Sequence, residues 1–187
     1  SVLINLTGKS VDCRYTKENK KEILWSRIES TKVLNKAVLN CKNPPKHWLN
    51  SSTATIYRFS LDKQMDEVDG EIGNDFSINV ALSWEKAFFK TETPNTLKTA
   101  LRTSIVLGKN GGAFIPLKTL AKIGFGGKQG KGNQFVSWIH EEDFANAVDF
   151  IIEKEMTGVI NIVSPNPIRN ADFMEKLRKA VSFPFGI

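Results

Sequence analysis

The sequence has no long apolar stretch and contains few cysteines. No apolar run approaches the ~20 residues that a membrane-spanning helix needs. Residues 1–6 are too few for a signal peptide and carry no basic leader, so we expect a strand there. Two cysteines, Cys13 and Cys41, do not suffice for a disulfide framework or a metal quartet. We therefore expect reduced thiols, a cytoplasmic location, no membrane contact and no metal site.

Positive charge exceeds negative charge, with 26 Lys and Arg against 20 Asp and Glu and a net charge of +6. A basic surface can bind nucleic acid, and Lys118, Lys122, Lys128 and Lys131 fall in one region. The other lysines are scattered, and no helix-turn-helix, zinc-finger or RNP pattern accompanies them. We therefore expect a solvated basic surface and no nucleic-acid partner, and we keep salt-dependent nucleic-acid binding as a third alternative.

Alternation of strand and helix patterns predicts an α/β chain with a parallel sheet. Strands are expected at 2–6, as a buried central strand, at 97–108 and at 158–163. The apolar run 135–140 passes through Glu141, Glu142 and Asp143 into an apolar pattern of helical spacing. We expect these acidic side chains to accept from the free N–H groups of the helix's first turn, and His140 and Asp143 to be scaffold.

Further helices are expected at 16–41, capped by Thr16, and from Asp75 or Phe76 to Phe89. A short helix at 113–123 is predicted to be interrupted by Pro116, and a last helix at 170–181 to be capped by Asn170 or Asp172. Between them, 60–75 is expected to be an acidic exposed loop. The glycine-dense stretch 124–132 lacks the Gly-Lys-Ser/Thr ending of a phosphate loop, so we predict a mobile loop near the site.

Hydroxyl side chains follow the predicted strand that begins near Trp48. Ser51, Ser52 and Thr53 would lie at the carboxyl edge of the sheet, where short donors can polarise a substrate carbonyl. A plain Ser/Thr-rich turn is the alternative interpretation. The end of the first strand, residues 6–8, is a second candidate for ligand contact, because ligands of open α/β sheets bind at the carboxyl ends of the strands.

Several motifs together resemble one family. They are Asn5-Leu6-Thr7-Gly8, Lys21-Glu22 with Ser26-Arg27, Ser51-Ser52-Thr53-Ala54-Thr55-Ile56-Tyr57, Trp84-Glu85, the strand 101–108, the 126–132 glycine loop, Ser137-Trp138-Ile139-His140 with Asp143, and Ser164-Pro165-Asn166-Pro167. The pattern is similar to the epimerase family proteins, an atypical NADP-binding branch of the extended short-chain dehydrogenases/reductases. The resemblance runs from residue 1 to about residue 182.

The resemblance implies a Rossmann-like, doubly wound parallel sheet, present from the fourth strand onward, with a small C-terminal substrate-side lobe. Residues 1–107 would be the remaining part of the NAD(P)-binding domain, and residues 108–187 the substrate-side region continuous with it. The family's N-terminal Gly-x-x-Gly-x-x-Gly half and its C-terminal segment are not in this sequence, so we expect a piece of a longer chain. The expected partners are a dinucleotide cofactor, a small-molecule substrate and, left open, a second copy of the chain.

The family's functional residues carry over to six positions, and Tyr57 lies at the end of the same motif as one of them. Leu6, Thr7, Glu22, Arg27 and Asp75 are implied to line the NADP site. The resemblance matches Thr53 to the hydroxyl that polarises the substrate carbonyl, and we predict Thr53 and Tyr57 as the catalytic residues.

Two residues depart from the superfamily's catalytic pattern. Phe76 and Val80 stand where a Tyr-x-x-x-Lys pair would perform proton transfer, and neither side chain carries a proton to move. The resemblance therefore implies an NADP(H)-binding oxidoreductase or epimerase of unknown substrate. The alternative is a non-catalytic cofactor-binding or protein-interaction module.

Overall fold

A computed structural model describes residues 1–183 and 185–186 and confirms the α/β class. Positions 184 and 187 of the predicted region 108–187 lie outside the described residues. The chain divides into unit 1, residues 1–58, 65–103 and 148–161, and unit 2, residues 59–64, 104–147 and 162–187. The predicted division at residue 107 stays a prediction.

Unit 1 is built on a sheet with the strand order β1-β2-β3-β8. The strands are β1 (Val2–Asn5), β2 (His47–Thr53), β3 (Leu97–Thr103) and β8 (Gly158–Ile162). β1 pairs in parallel with β2, and β2 with β3, as predicted. The prediction that the first strand is a buried central strand stays a prediction. β1 stands at the end of the strand order, and Val2 and Ile4 are 42% and 46% exposed.

Two helices pack on each other in unit 1: α1 (Lys17–Asn40) and α2 (Phe76–Phe89). The predicted cap is confirmed, because the Thr16 hydroxyl accepts from the backbone N–H of Asn19. Trp84 on α2 donates from Nε1 to Thr31 Oγ1 on α1 over 3.0 Å. Between helices and sheet lies a buried cluster of Val38, Trp48, Phe88 and Ala100.

Two basic side chains are enclosed in this packing. Lys98 Nζ donates to Asn35 Oδ1 and to the carbonyls of Phe88 and Thr91 over 2.7–2.9 Å. Burial lowers the pKa of Lys98 to about 8. His47, only 3% exposed, places Nε2 2.7 Å from Thr99 Oγ1.

The acidic loop at 60–75 is exposed as predicted, and its second half is tied to unit 1. The N–H of Arg58 donates to Glu71 O over 2.8 Å, and the N–H of Asn161 donates to Glu67 Oε1 over 2.6 Å. At Gly70 a Cβ atom would lie 2.3 Å from the Tyr57 ring, so only glycine allows this approach. The segment 65–73 therefore packs closely over Tyr57.

Unit 2 contains short strands and two packed helices. The strands are β4 (Ile105–Gly108), β5 (Gly111–Gly112), β6 (Phe135–Val136), β7 (Trp138–His140) and β9 (Ile168–Arg169). β4 pairs with β5 and with β7, and β6 with β9. The helices α3 (Phe114–Lys122) and α5 (Asn170–Ala180) bury Ala121, Met174 and Leu177 between them.

Several predicted element limits were wrong. The strand expected at 97–108 is divided at Ser104, and the run 135–140 is divided at Ser137. Helix α3 is continuous, because Pro116 lies in its first turn, where a missing N–H breaks no helical hydrogen bond. Helix α5 has no side-chain cap; Asn170 Oδ1 instead accepts from the N–H of Gln129.

The junction into α4 (Glu141–Glu153) also differs from its prediction. The side-chain bond to its first turn comes from His140, whose Nδ1 accepts from the N–H of Glu142 over 3.2 Å. The Glu141 carboxylate accepts from the N–H of Lys109 and lies against Gly108, where a Cβ atom would be 2.4 Å away. Glu141 therefore joins β4 to α4, and His140 serves the scaffold role expected of it.

Candidate functional site

A cavity of about 350 Å³ lies within unit 1, between α1, the carboxyl end of β2 and the first turns of α2. Its lining residues fall into two chemical groups. The apolar lining residues are Val11, Tyr15, Ile23, Phe76, Val80, Ala81 and Trp84. The polar lining residues are Arg27, Ser51, Ser52, Thr53, Thr55 and Ser77. No carboxylate lines the cavity among the residues that the structure describes.

Arg27 is the cation of this cavity. Its guanidinium donates to the carbonyls of Ile23 and Lys9 over 2.9 and 3.1 Å and lies 5.1 Å from the Trp84 ring centroid. The side chain passes close to Gly8, where a Cβ atom would be 3.0 Å from the guanidinium carbon. Burial lowers the pKa of Arg27, although it stays positively charged at neutral pH. Across residues 1–183 and 185–186, no carboxylate forms an ion pair with it.

Hydroxyl groups at the end of β2 already form hydrogen bonds with neighbouring residues. Ser52 Oγ donates to Glu85 Oε1 over 2.6 Å. Thr53 Oγ1 accepts from the N–H of Thr55 over 3.2 Å and lies 2.5 Å from Thr55 Oγ1. When Thr55 is the donor of that pair, the Thr53 hydroxyl proton is free to point at a ligand.

Phe76 and Val80 lie one helical turn apart and both line the cavity. The Phe76 ring meets the Tyr15 ring edge-on, with 5.6 Å between the ring centroids. Just before Phe76, the Asp75 carboxylate accepts from the N–H of Ile78 over 2.9 Å and caps α2. The positions predicted for a Tyr-x-x-x-Lys pair therefore lie at the cavity and carry apolar side chains.

Tyr57 is not among the cavity residues. Its hydroxyl donates to Asn161 Oδ1 over 2.9 Å and accepts from Arg102 Nη1 over 2.8 Å. Arg102 in turn donates twice to the Glu85 carboxylate, with both distances 2.9 Å. Because Ser52 also donates to Glu85, the ion pair connects the cavity to Tyr57.

Glu85 and Arg102 carry opposite charges in a buried place, with 8% and 9% of their surfaces exposed. Burial alone would lower the pKa of Arg102, but hydrogen bonds to Glu85 and Tyr57 outweigh it and raise the pKa. Both residues lie in motifs that carry the family resemblance, but the sequence interpretation gave neither of them a functional role. The available signal was a carboxylate on the apolar face of a helix and an arginine inside an apolar strand.

Of the residues predicted to bind or act, Thr53 and Arg27 line the cavity. Asp75 adjoins it as the cap of α2. The catalytic assignment of Thr53 stays a prediction, as does that of Tyr57, and the cofactor assignments of Arg27 and Asp75 stay predictions too.

The remaining predicted residues lie outside the cavity lining. Leu6 follows β1 and is 64% exposed. The Thr7 hydroxyl donates to Asn5 Oδ1 over 2.7 Å, and Glu22 forms an exposed ion pair with Lys9 over 2.9 Å. The Lys9 backbone contacts both Ser26 and Arg27, so the residues after β1 are joined to α1 near the cavity. The cofactor roles of Leu6, Thr7 and Glu22 stay predictions.

Two kinds of feature are absent from the part of the chain that the structure describes. None of its helices is both long and apolar enough to cross a bilayer. Within the same residues, no group of three or more His, Cys, Asp or Glu side chains is placed to hold a metal ion.

Comparison with known proteins identifies relatives along nearly the whole chain. The mouse epimerase family protein SDR39U1 is 34% identical over 189 residues, which cover 98% of this chain and 64% of the mouse protein. The crystal structure of human SDR39U1 (isoform 2) with NADPH superimposes with a TM-score of 0.92 at 32% identity, covering 99% of this chain and 64% of that one. No family model matches the sequence.

A nucleoside-diphosphate sugar epimerase from Corynebacterium glutamicum has the same fold, with a TM-score of 0.77 at 28% identity over 99% of this chain and 40% of its own. The predicted family resemblance and the Rossmann-like fold are confirmed. The chain spans less than two thirds of the length of the curated relatives it matches.

Proposed function

We propose that this chain, a relative of the epimerase family proteins along nearly its whole length, forms part of an NADP(H) site and serves an oxidoreductase or epimerase reaction. The observation that carries the proposal is Arg27, a half-buried guanidinium that lines a cavity without an acidic partner among the described residues. A half-buried cation of this kind favours an anionic ligand, because a ligand charge would replace the hydration that partial burial removes.

The cavity residues fit a nicotinamide nucleotide. Arg27, next to the ring of Trp84, offers a charge for an anionic group of the cofactor. When bound, NADPH would supply a hydride. The chain's own contribution would be to hold the cofactor with Arg27 and to polarise a substrate carbonyl with the Thr53 hydroxyl. The human relative crystallised with NADPH supports the choice of cofactor.

Titration of NADPH into the intact protein, followed by nucleotide fluorescence, tests this proposal. We expect saturable binding, which Arg27→Gln weakens by roughly tenfold to a hundredfold because one charge-assisted hydrogen bond is lost. Lys32→Gln is the matched control, since it removes one exposed charge from the same helix outside the cavity lining. An unchanged fluorescence at high micromolar NADPH would exclude the proposal.

A second function is favoured by Phe76 and Val80, which cannot transfer a proton. On this proposal the chain binds NADP(H) without turnover, as a cofactor-binding or protein-interaction module. The two functions are separated by NADPH consumption with a panel of carbonyl compounds. Turnover that falls by about a hundredfold or more in Thr53→Val supports catalysis. Tight NADPH binding without any turnover supports the non-catalytic function.

A homodimer is a further proposal, supported by apolar side chains exposed on both helices of unit 1. Trp25, Val33 and Leu39 on α1, and Leu82 and Phe89 on α2, are each between 38% and 63% exposed. Sedimentation velocity of the intact protein tests it; a single monomeric species at micromolar concentration would contradict it. The cytoplasmic location stays a prediction that rests on the two free thiols.

A further inference from the structure

The cavity presents mostly apolar surface at the place where its helix carries Phe76 and Val80. A sugar ring bears hydroxyl groups around its edge, and each one that faces an apolar side chain loses its hydrogen bonds to water. Each such loss weakens binding by roughly tenfold. Phe76, Val80 and Trp84 therefore disfavour a hydroxyl-rich substrate at this surface.

Part of the polar lining already forms hydrogen bonds within the protein. The Ser52 hydroxyl already donates to Glu85, and one hydrogen bond joins the hydroxyls of Thr53 and Thr55. The hydroxyls of Thr53, Ser51 and Ser77 remain for a neutral ligand, and the proposed function gives Arg27 to the cofactor. One carbonyl oxygen would be satisfied by one such hydroxyl, whereas each sugar hydroxyl that faces Phe76 or Val80 would have no partner.

Aromatic side chains in the cavity lining offer a surface on which a flat ring can pack. The Tyr15 and Phe76 rings meet edge-on and both line it, and Trp84 lies beneath Arg27. Aromatic side chains favour offset or edge-on contact with another ring. A volume of about 350 Å³ is at the low end for ligand pockets, so it accommodates compact groups.

We infer that the substrate side of this cavity takes a planar, uncharged, largely apolar carbonyl compound, such as an aromatic ketone, and not a nucleotide sugar. Its carbonyl oxygen accepts from Thr53 and its ring packs against Phe76. No carboxylate lines the cavity among the described residues, so a cationic substrate would have no ion-pair partner there. This inference rests on the proposed function in one respect, namely that the cofactor occupies part of the same cavity.

The probe is 1-indanone, a flat bicyclic ketone, added to the intact protein with and without saturating NADPH. Ligand-observed NMR and calorimetry measure its affinity, and UDP-glucose is titrated in parallel. We expect 1-indanone to bind the NADPH-saturated protein at least tenfold more tightly than UDP-glucose does. Phe76→Ala is expected to weaken 1-indanone binding about fivefold to twentyfold.

Phe89→Ala is the matched control, because Phe89 lies at the other end of α2 and outside the cavity lining. It should leave 1-indanone affinity unchanged, and circular dichroism verifies that both variants fold. The inference is overturned if UDP-glucose binds more tightly, if Phe76→Ala has no effect, or if NADPH displaces 1-indanone.

NADPH affinity, measured in the same samples, reports on the proposed function separately. Bound NADPH without 1-indanone binding overturns the inference and leaves the proposed function intact. Phe76-dependent binding of 1-indanone without NADPH binding supports the apolar chemistry of the cavity and overturns the proposed function.

Discussion

At the residue scale, the ion pair between Glu85 and Arg102 is the most connected polar feature of unit 1. The Ser52 hydroxyl donates to Glu85, and Arg102 donates to the Tyr57 hydroxyl. Because both side chains are buried, removing either one would leave an unpaired charge in the folded protein. The pair therefore serves to position the polar end of the cavity.

Glu85→Ala is expected to lower the free energy of unfolding by about 3–5 kcal/mol, because it leaves a buried guanidinium without its counter-charge. Urea denaturation monitored by tryptophan fluorescence measures the change. Glu29→Ala is the control, since it removes an exposed partner of Lys32 and should cost no more than about 1 kcal/mol. Equal effects of the two substitutions would contradict the structural role of Glu85.

His47 makes stability depend on pH. The Thr99 hydroxyl donates to Met156 O, so it accepts from His47 Nε2, and Nδ1 has no hydrogen-bond partner among the described residues. Burial lowers the pKa of His47 below its ordinary value. The unfolded chain therefore binds a proton at His47 near pH 6.5, whereas the folded chain binds it only at lower pH. The free energy of unfolding consequently falls as the pH decreases below 6.5.

We expect the free energy of unfolding to decrease by up to about 1.4 kcal/mol per pH unit between pH 6.5 and the folded-state pKa of His47. Urea denaturation at pH 7.5, 6.5 and 5.5 measures it. In His47→Gln this part of the pH dependence should disappear. A pH dependence that is the same in both proteins would assign the effect to other groups.

At the scale of elements, α2 begins at a side-chain cap that also adjoins the cavity. Asp75→Ala should destabilise the protein by about 1 kcal/mol, whereas Asp75→Asn should retain the cap, because asparagine also accepts from Ile78 N–H. Thermal denaturation measures both variants. NADPH affinity in Asp75→Asn then separates the predicted cofactor role from the cap, since only the former requires the charge.

Local signals explain which elements could be predicted from the sequence. The Thr16 cap and the start of α2 depend on residues a few positions apart, so the sequence pattern was sufficient. The break at Ser104 depends on Ile162, to whose carbonyl the Ser104 N–H donates over 3.1 Å. Glu85 and Arg102 likewise meet only through tertiary packing, as do Arg27 and Thr53 at the cavity. The family resemblance, rather than residue spacing, indicated Arg27.

At the scale of the whole molecule, a net charge of +6 raises the question of nucleic-acid binding. We expect a labelled 20-mer duplex to bind with a Kd weaker than about 100 µM at 150 mM salt, at or beyond the weak end of non-specific binding. Fluorescence anisotropy measures the affinity between 50 and 200 mM salt. Micromolar binding that falls steeply with salt and is lost in Lys128→Gln with Lys131→Gln would contradict this expectation.

The strand order β1-β2-β3-β8 has a consequence for biosynthesis. β3 ends at Thr103, but its neighbour β8 begins only at Gly158. At about 5–20 residues per second, the ribosome needs roughly 3–11 seconds to produce the intervening stretch. During that interval one side of β3 offers unpaired N–H and C=O groups to any other extended chain. We expect newly made chains to depend on chaperones in this window, even though the finished sheet pairs the strand on both sides.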